Sequence, residues 1–161
     1  MAAHPPARTS VCRKNPCLII LRGEPGSGKT TYAHKLVEME GFRAFSADDH
    51  MVINGKYVFL PGRLEKAHST CQKEVKTALF MGSNVVVHNS ARTRAELEPY
   101  LRMNTRAMVT VFKMTRSYGS TKLIPEHVMS RYRNTYEPHP DEESGYFNIN
   151  EKRIVFENEE E

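Results

Sequence analysis

The 161-residue chain has only three cysteines, Cys12, Cys17 and Cys71. None sits in a C-x-x-C pair or at zinc spacing to a histidine. That pattern speaks against a disulfide framework or a structural zinc site, and for reduced thiols, with Cys17 and Cys71 at apolar core positions. Long apolar runs are missing too: the longest near the start is Cys17 to Leu21. No membrane segment and no secretory signal peptide are therefore expected, and an intracellular setting, cytoplasmic or nuclear, is. Acidic residues are absent before Glu24, whereas Arg8, Arg13, Lys14 and Arg22 are basic. This start reads as a solvated arm able to touch nucleic acid or to act in targeting. Beyond Glu137 the balance reverses, through Asp141, Glu142 and Glu143 to Glu157, Glu159, Glu160 and Glu161, a solubilising tail. No internal repeat is visible.

What is present is a chain of one-domain length, with hydrophobic and charged shares in the globular range. Residues Gly23-Glu24-Pro25-Gly26-Ser27-Gly28-Lys29-Thr30, with Thr31 following, give the complete pattern G-x-x-x-x-G-K-[ST]. An apolar run precedes it and a helix-capable stretch, Thr30 to Glu40, follows. This is the strand–loop–helix context of a phosphate-binding loop. Its glycines let backbone N–H groups turn inward around a polyphosphate, and the helix N-terminus adds partial positive charge. Lys29 can reach the β- and γ-phosphates, and the Thr30 hydroxyl can ligate Mg²⁺.

The rest of the pattern alternates strands with helices. Residues 1–15 form an arm, 16–137 the main domain and 138–161 a C-terminal extension. Strands are expected at Cys17–Arg22, Phe42–Ser46, Asn84–His88 and Ala107–Met114, with a further one near Arg153–Phe156. In the first helix Ala33, Leu36 and Val37 share a face, and Gly41 fits its stop. Asn54-Gly55 between apolar flanks signals a hairpin. Gly62 to Met81 reads as a long helix with Leu64, His68, Cys71, Val75, Ala78 and Leu79 on one side. Thr93 to Glu96 fits a capping box opening another helix, with Pro99 early in it. Pro125 to Tyr136 is the last helix, with Val128, Met129, Tyr132 and Tyr136 aligned. The pattern predicts an α/β fold: a three-layer P-loop NTPase or nucleotide-kinase architecture with a mostly parallel central sheet.

Strand carboxyl ends form the ligand crevice of such a sheet. Asp48 and Asp49 follow the second strand. A carboxylate there can accept the proton of an attacking hydroxyl or hold a metal-bound water; it can also merely cap a turn. Asp48 is the candidate base and Asp49, with Thr30, the candidate metal contact. The strand Val85-Val86-Val87 leads into His88, where many P-loop enzymes place an acidic magnesium partner. There is no Asn-Lys-x-Asp stretch for guanine. Both observations argue against an ordinary ATPase or GTPase. Arg116 to Lys122 reads as a mobile lid that can bring a cation over the transferring phosphoryl group. Arg116 and Arg131 are the candidate catalytic cations; Arg131 and Arg133 lie on roughly opposite sides of their helix.

In order and spacing, Gly23–Thr31, Ser46-Ala47-Asp48-Asp49, the apolar strand into His88-Asn89-Ser90, and Ile124-Pro125 resemble the phage polynucleotide kinase-like P-loop family, over about Leu18 to Tyr136. The resemblance implies that Lys29 and Thr30 bind ATP phosphates and Mg²⁺, and that Asp48 activates the acceptor hydroxyl. The chain departs from the family at Met51, where an acceptor-contacting arginine is common. It departs again at His88-Asn89-Ser90, where Asp-Thr-Asn-like stretches occur, and at Gly119, near the lid arginine's place. The expected activity is ATP-dependent phosphorylation of a hydroxyl, foremost the 5′-hydroxyl of a nucleic acid or nucleotide. A kinase for a nucleoside, nucleoside monophosphate or sugar nucleotide, and a non-catalytic ATP-binding module, stand as alternatives.

Overall fold

The computed structural model describes residues 15–103, 105–118 and 125–157. Most of the basic arm, the lid stretch Gly119 to Lys122 with Ile124, and the terminal acids Glu159 to Glu161 lie outside the described residues. Six strands form one sheet: β1 (Cys17–Arg22), β2 (Arg43–Phe45), β5 (Val85–Val87), β6 (Met108–Met114), β7 (Glu143–Asn148) and β8 (Arg153–Phe156), in the order β2-β5-β1-β6-β7-β8. A small hairpin, β3 (Val52–Ile53) and β4 (Lys56–Tyr57), stands apart. All pairings in the main sheet are parallel except β7 with β8. Central β1 pairs with β5 on one side and β6 on the other, so Ile20 lies between Val87 and Val111.

The helices are α1 (Lys29–Glu40), α2 (Leu64–Phe80), α3 (Arg94–Leu101) and α4 (Glu126–Thr135). They cover both sheet faces, and strand alternation decides which residue meets which helix. Leu18 and Ile20 join Cys71, Val75 and Ala78 of α2 and Leu97 of α3 in one cluster. Leu21 and Val86 join Ala33 and Leu36 of α1 in the other, with Phe112 and Phe147. The expected α/β architecture with a mostly parallel central sheet is therefore present.

Several local readings change. The segment after Glu137 extends the same sheet with two strands, and Phe147 and Val155 are buried in it. Val37, expected on the inner face of α1, is 40% exposed. Gly41 does stop that helix, in a left-handed conformation (φ 74°), donating its N–H to the Val37 carbonyl at 3.2 Å. Pro99 lies inside α3 near its end rather than early in it. Thr93 caps α3, but the Glu96 carboxylate reaches back to the Arg92 N–H instead of completing the box. The hairpin forms where Asn54-Gly55 places it, both residues at positive φ.

Arg22, counted by sequence with the basic start, is a core residue with no exposed surface. Its Nε donates to the Ala91 carbonyl at 2.8 Å, and its other nitrogens reach the Arg92 and Glu137 carbonyls and Glu142 Oε1. The Tyr136 ring covers the guanidinium at 4.3 Å. A buried charge is tolerable only with such partners. This knot ties the end of β1, just ahead of the 23–30 loop, to the segment after β5 and the segment after α4.

Candidate functional site

At β1 the chain changes direction, running outward to β2 on one side and crossing to β6 on the other. The crevice at the strand carboxyl ends opens at such a switch point. A cavity of about 1040 Å³ lies there. Its floor is Pro25 to Thr31. The loop turns tightly at Gly23 (φ 151°) and Gly28 (φ 95°). At Gly23 a Cβ would come 2.5 Å from Ser27 Oγ, so only glycine fits. Gly23 itself and Glu24 support the loop from outside the lining. Gly23 N–H points at the Ser90 carbonyl at 3.4 Å, and Glu24 Oε1 pairs with Arg133 Nε at 2.7 Å.

Lys29 is buried, and its Nζ folds back to donate to the Gly23 carbonyl at 2.7 Å and the Glu24 carbonyl at 2.9 Å. These carbonyls hold the ammonium where a phosphate oxygen can take their place. Thr30 Oγ1 lies 3.2 Å from His88 Nδ1.

On the β2–β5 side the lining is Asp48, Met51, Tyr57, Phe59, Leu64 and His68. Asp48 sits in a tight turn, Ala47–Met51, opened by Ser46. Ser46 Oγ accepts the Asp48 N–H, and the Ser46 N–H donates to Asp49 Oδ2 at 3.2 Å. The paired aspartates thus part company. Asp49, expected as a metal contact, is not in the cavity lining; it caps the turn and faces a smaller hollow with His50, Arg63 and Lys66. Burial pushes its carboxyl pKa up. Asp48 remains in the cavity, with Tyr57 donating its hydroxyl to Asp48 Oδ1 at 3.4 Å. Burial, then the Asp48 charge, push the Tyr57 phenol up to about 12.

Asn89 supports this turn from β5. Its Oδ1 accepts the Ala47 N–H at 2.7 Å and its Nδ2 reaches Tyr100, which donates to Cys71 Sγ. Cys71 is buried, as expected, and its thiol pKa is raised by burial. Leu64 and His68, expected on the same helix face as Cys71, line the cavity.

On the β6–β7 side stand Met114, Arg116, Tyr118, Tyr146 and Asn148. The Arg116 guanidinium lies 3.7 Å from the Tyr146 ring centre. The Tyr118 N–H donates to the Gly26 carbonyl at 2.7 Å, strapping this segment to the loop. Arg131, the second expected cation, is exposed on α4 and outside the cavity lining. Arg92, which sequence reasoning passed over, does line it; its guanidinium is anchored on Thr135 Oγ1 at 2.6 Å. Arg92 falls in a loop with no motif of its own, and only the fold carries it to the crevice.

Mg²⁺ fits this donor set if it arrives on a nucleotide. The described residues hold no cluster of three His, Cys, Asp or Glu side chains able to fix a metal alone. Mg²⁺ commonly takes one or two protein oxygens and completes its shell with phosphates and water. Thr30 Oγ1 is such an oxygen.

The loop between a central parallel strand and α1, set at the switch point under a large cavity, makes this a P-loop nucleotide-binding domain with a kinase-like α/β fold. The chain belongs to the AAA domain family, whose profile matches residues 18–116. Human NEDD4-binding protein 2 is 34% identical over 91 residues, which are 55% of this chain and 5% of that protein's own length. A sugar kinase from Janibacter sp. HTCC2649 superposes with a TM-score of 0.56 at 17% identity, covering 80% of this chain and 83% of the other. A chain of the Pnkp1/Rnl/Hen1 RNA repair complex gives 0.55 at 20% identity, covering 84% and 43%. These two likenesses concern the fold alone. No helix among the described residues is long and apolar enough to cross a membrane.

Proposed function

We propose that the domain is an ATP-dependent phosphotransferase that moves the γ-phosphoryl group to a hydroxyl, the acceptor being the 5′-hydroxyl of a polynucleotide or nucleotide. One observation carries the reading: Asp48 and the loop residues Lys29 and Thr30, from the ends of two different strands, line one cavity, while Asp49 is withdrawn into its capping box. In this reading the loop N–H groups and Lys29 hold and neutralise the phosphates, and Asp48 takes the acceptor hydroxyl's proton. Mg²⁺ on Thr30 would add charge neutralisation. Arg92 and Arg116, which line the cavity with Lys29, would steady the phosphates in this reading.

The nature of the acceptor side supports a base-bearing substrate. Phe59 and Leu64 line the cavity near Asp48 yet stay 55% and 38% exposed, beside Tyr57 and buried Met51. Aromatic and aliphatic surface of this kind suits the flat face of a nucleobase, which stacks for about 1–3 kcal/mol. A polyol acceptor would want hydrogen-bonding side chains instead.

A second reading, a kinase for a free nucleoside or other small metabolite, is favoured by Met51, which sets an apolar residue in the cavity close to Asp48. An acceptor panel separates the two. With ATP and Mg²⁺, the first reading expects transfer to a 5′-hydroxyl oligonucleotide whose KM rises steeply with salt. Transfer to nucleosides with a salt-independent KM favours the second. ATP binding without transfer to any acceptor leaves a nucleotide-binding module.

A further inference from the structure

A hydroxyl that serves a cation does so through its oxygen lone pairs, so its proton must point to an acceptor elsewhere. The geometry points to His88 as that acceptor: we infer that His88 is a positioning residue for the metal–nucleotide complex, its Nδ1 accepting the Thr30 hydroxyl's hydrogen bond and so leaving the oxygen lone pairs to a nucleotide-bound Mg²⁺. The inference rests on the nucleotide-binding reading of the loop and names what completes it.

Three observations bear on it. Thr30 Oγ1 and His88 Nδ1 stand 3.2 Å apart. The His88 backbone is pinned at the end of buried β5, its N–H donating to the Phe45 carbonyl of β2 at 3.1 Å. Its ring meets His34 edge-on at 6.3 Å, and His34 lies one turn along α1 from Thr30. The backbone anchor on β2 and the ring contact with α1 together bring Nδ1 to the Thr30 hydroxyl. With Nδ1 accepting, the ring is the neutral tautomer protonated on Nε2. A neutral ring orients the hydroxyl but adds no negative charge. The site then has little hold on free Mg²⁺ and takes the ion with its nucleotide, in keeping with the lack of a three-ligand cluster among the described residues.

The test is calorimetric binding of the non-hydrolysable analogue AMP-PNP, with Mg²⁺ and with EDTA, to wild type, His88→Ala and His88→Asn. Outer-shell partners of metal ligands are worth about 10–100-fold in metal affinity. The expected result is that His88→Ala loses about tenfold of the Mg²⁺-dependent gain in affinity while its affinity in EDTA stays at the wild-type level. His88→Asn, whose side-chain oxygen can stand where Nδ1 stood, restores most of the gain. A full Mg²⁺ gain in His88→Ala, an equal loss in EDTA, or no rescue by Asn overturns the inference and leaves the nucleotide reading standing. Failure of wild type to bind AMP-PNP under either condition overturns both.

Discussion

Ser46 and Asp49 cap one another. The Ser46 hydroxyl accepts from the turn's backbone and the Ser46 backbone N–H donates to Asp49 Oδ2 at 3.2 Å, which leaves Asp48 as the member of the pair that lines the cavity. Two adjacent aspartates of identical chemistry are thereby assigned different work by one serine.

Asp49→Ala should therefore cost stability rather than chemistry. Loss of a side-chain cap removes about 1 kcal/mol. Urea unfolding should show that loss, with the Mg²⁺-dependent gain in nucleotide affinity unchanged. A collapse of that gain would return Asp49 to the metal.

Arg22→Met should be among the most damaging substitutions in the chain. It strips partners from Glu142, which is largely buried, and from three backbone carbonyls. Removing one member of a buried ion pair costs about 3–5 kcal/mol. The expected observation is a Tm drop of several degrees, with the loop's nucleotide affinity falling with it. A Tm within a degree of wild type would mean that the knot is not holding the loop.

The balance between sequence and structure turns on the range of the interactions involved. The 23–30 loop, the Asn54-Gly55 hairpin and the Gly41 stop are local, and each is fixed by residues within a few positions. The buried Val85–Val87 run is likewise visible, because a central parallel strand is apolar on both faces. Arg22 and Arg92 were not legible, because the partners of Arg22 lie 69 to 120 residues away and the Thr135 partner of Arg92 lies 43 away, beyond any short pattern. Asp48 and Asp49 could be located, but the capping role of Asp49 was not legible, since it depends on the turn that Ser46 and Asn89 hold. Arg131 lies outside the cavity lining because α4 shows its inner face through Met129 and Tyr132, while Arg131 is exposed.

Alkaline unfolding offers a test of the packing around the acceptor side. Tyr57 is raised from 10.0 to about 12, and Tyr100, Tyr132 and Tyr136 are raised as well, burial being the first cause throughout. The folded state then holds these phenol protons more tightly than the unfolded state. The stability these phenols contribute should be level below pH 10 and fall as pH rises through the folded values. Urea midpoints between pH 9 and pH 12 should show that fall, shallower in Tyr57→Phe. A flat profile would contradict the burial of these phenols.

Phe59→Ala should raise KM for a base-bearing acceptor with little change in kcat, because the ring offers binding surface and no proton chemistry. Stacking of about 1–3 kcal/mol corresponds to roughly 5–150-fold in KM. An unchanged KM would remove the stacking ledge from the acceptor site.

The most direct measurement is transfer of labelled γ-phosphate from ATP to a 5′-hydroxyl oligonucleotide in Mg²⁺, comparing wild type with Asp48→Asn and Lys29→Ala. The expected result is transfer by wild type, none by Asp48→Asn despite near-normal ATP binding, and weakened ATP binding with little transfer by Lys29→Ala. Undiminished transfer by Asp48→Asn, or no transfer by an ATP-bound wild type, would contradict the assignment of Asp48 as the base of a polynucleotide kinase.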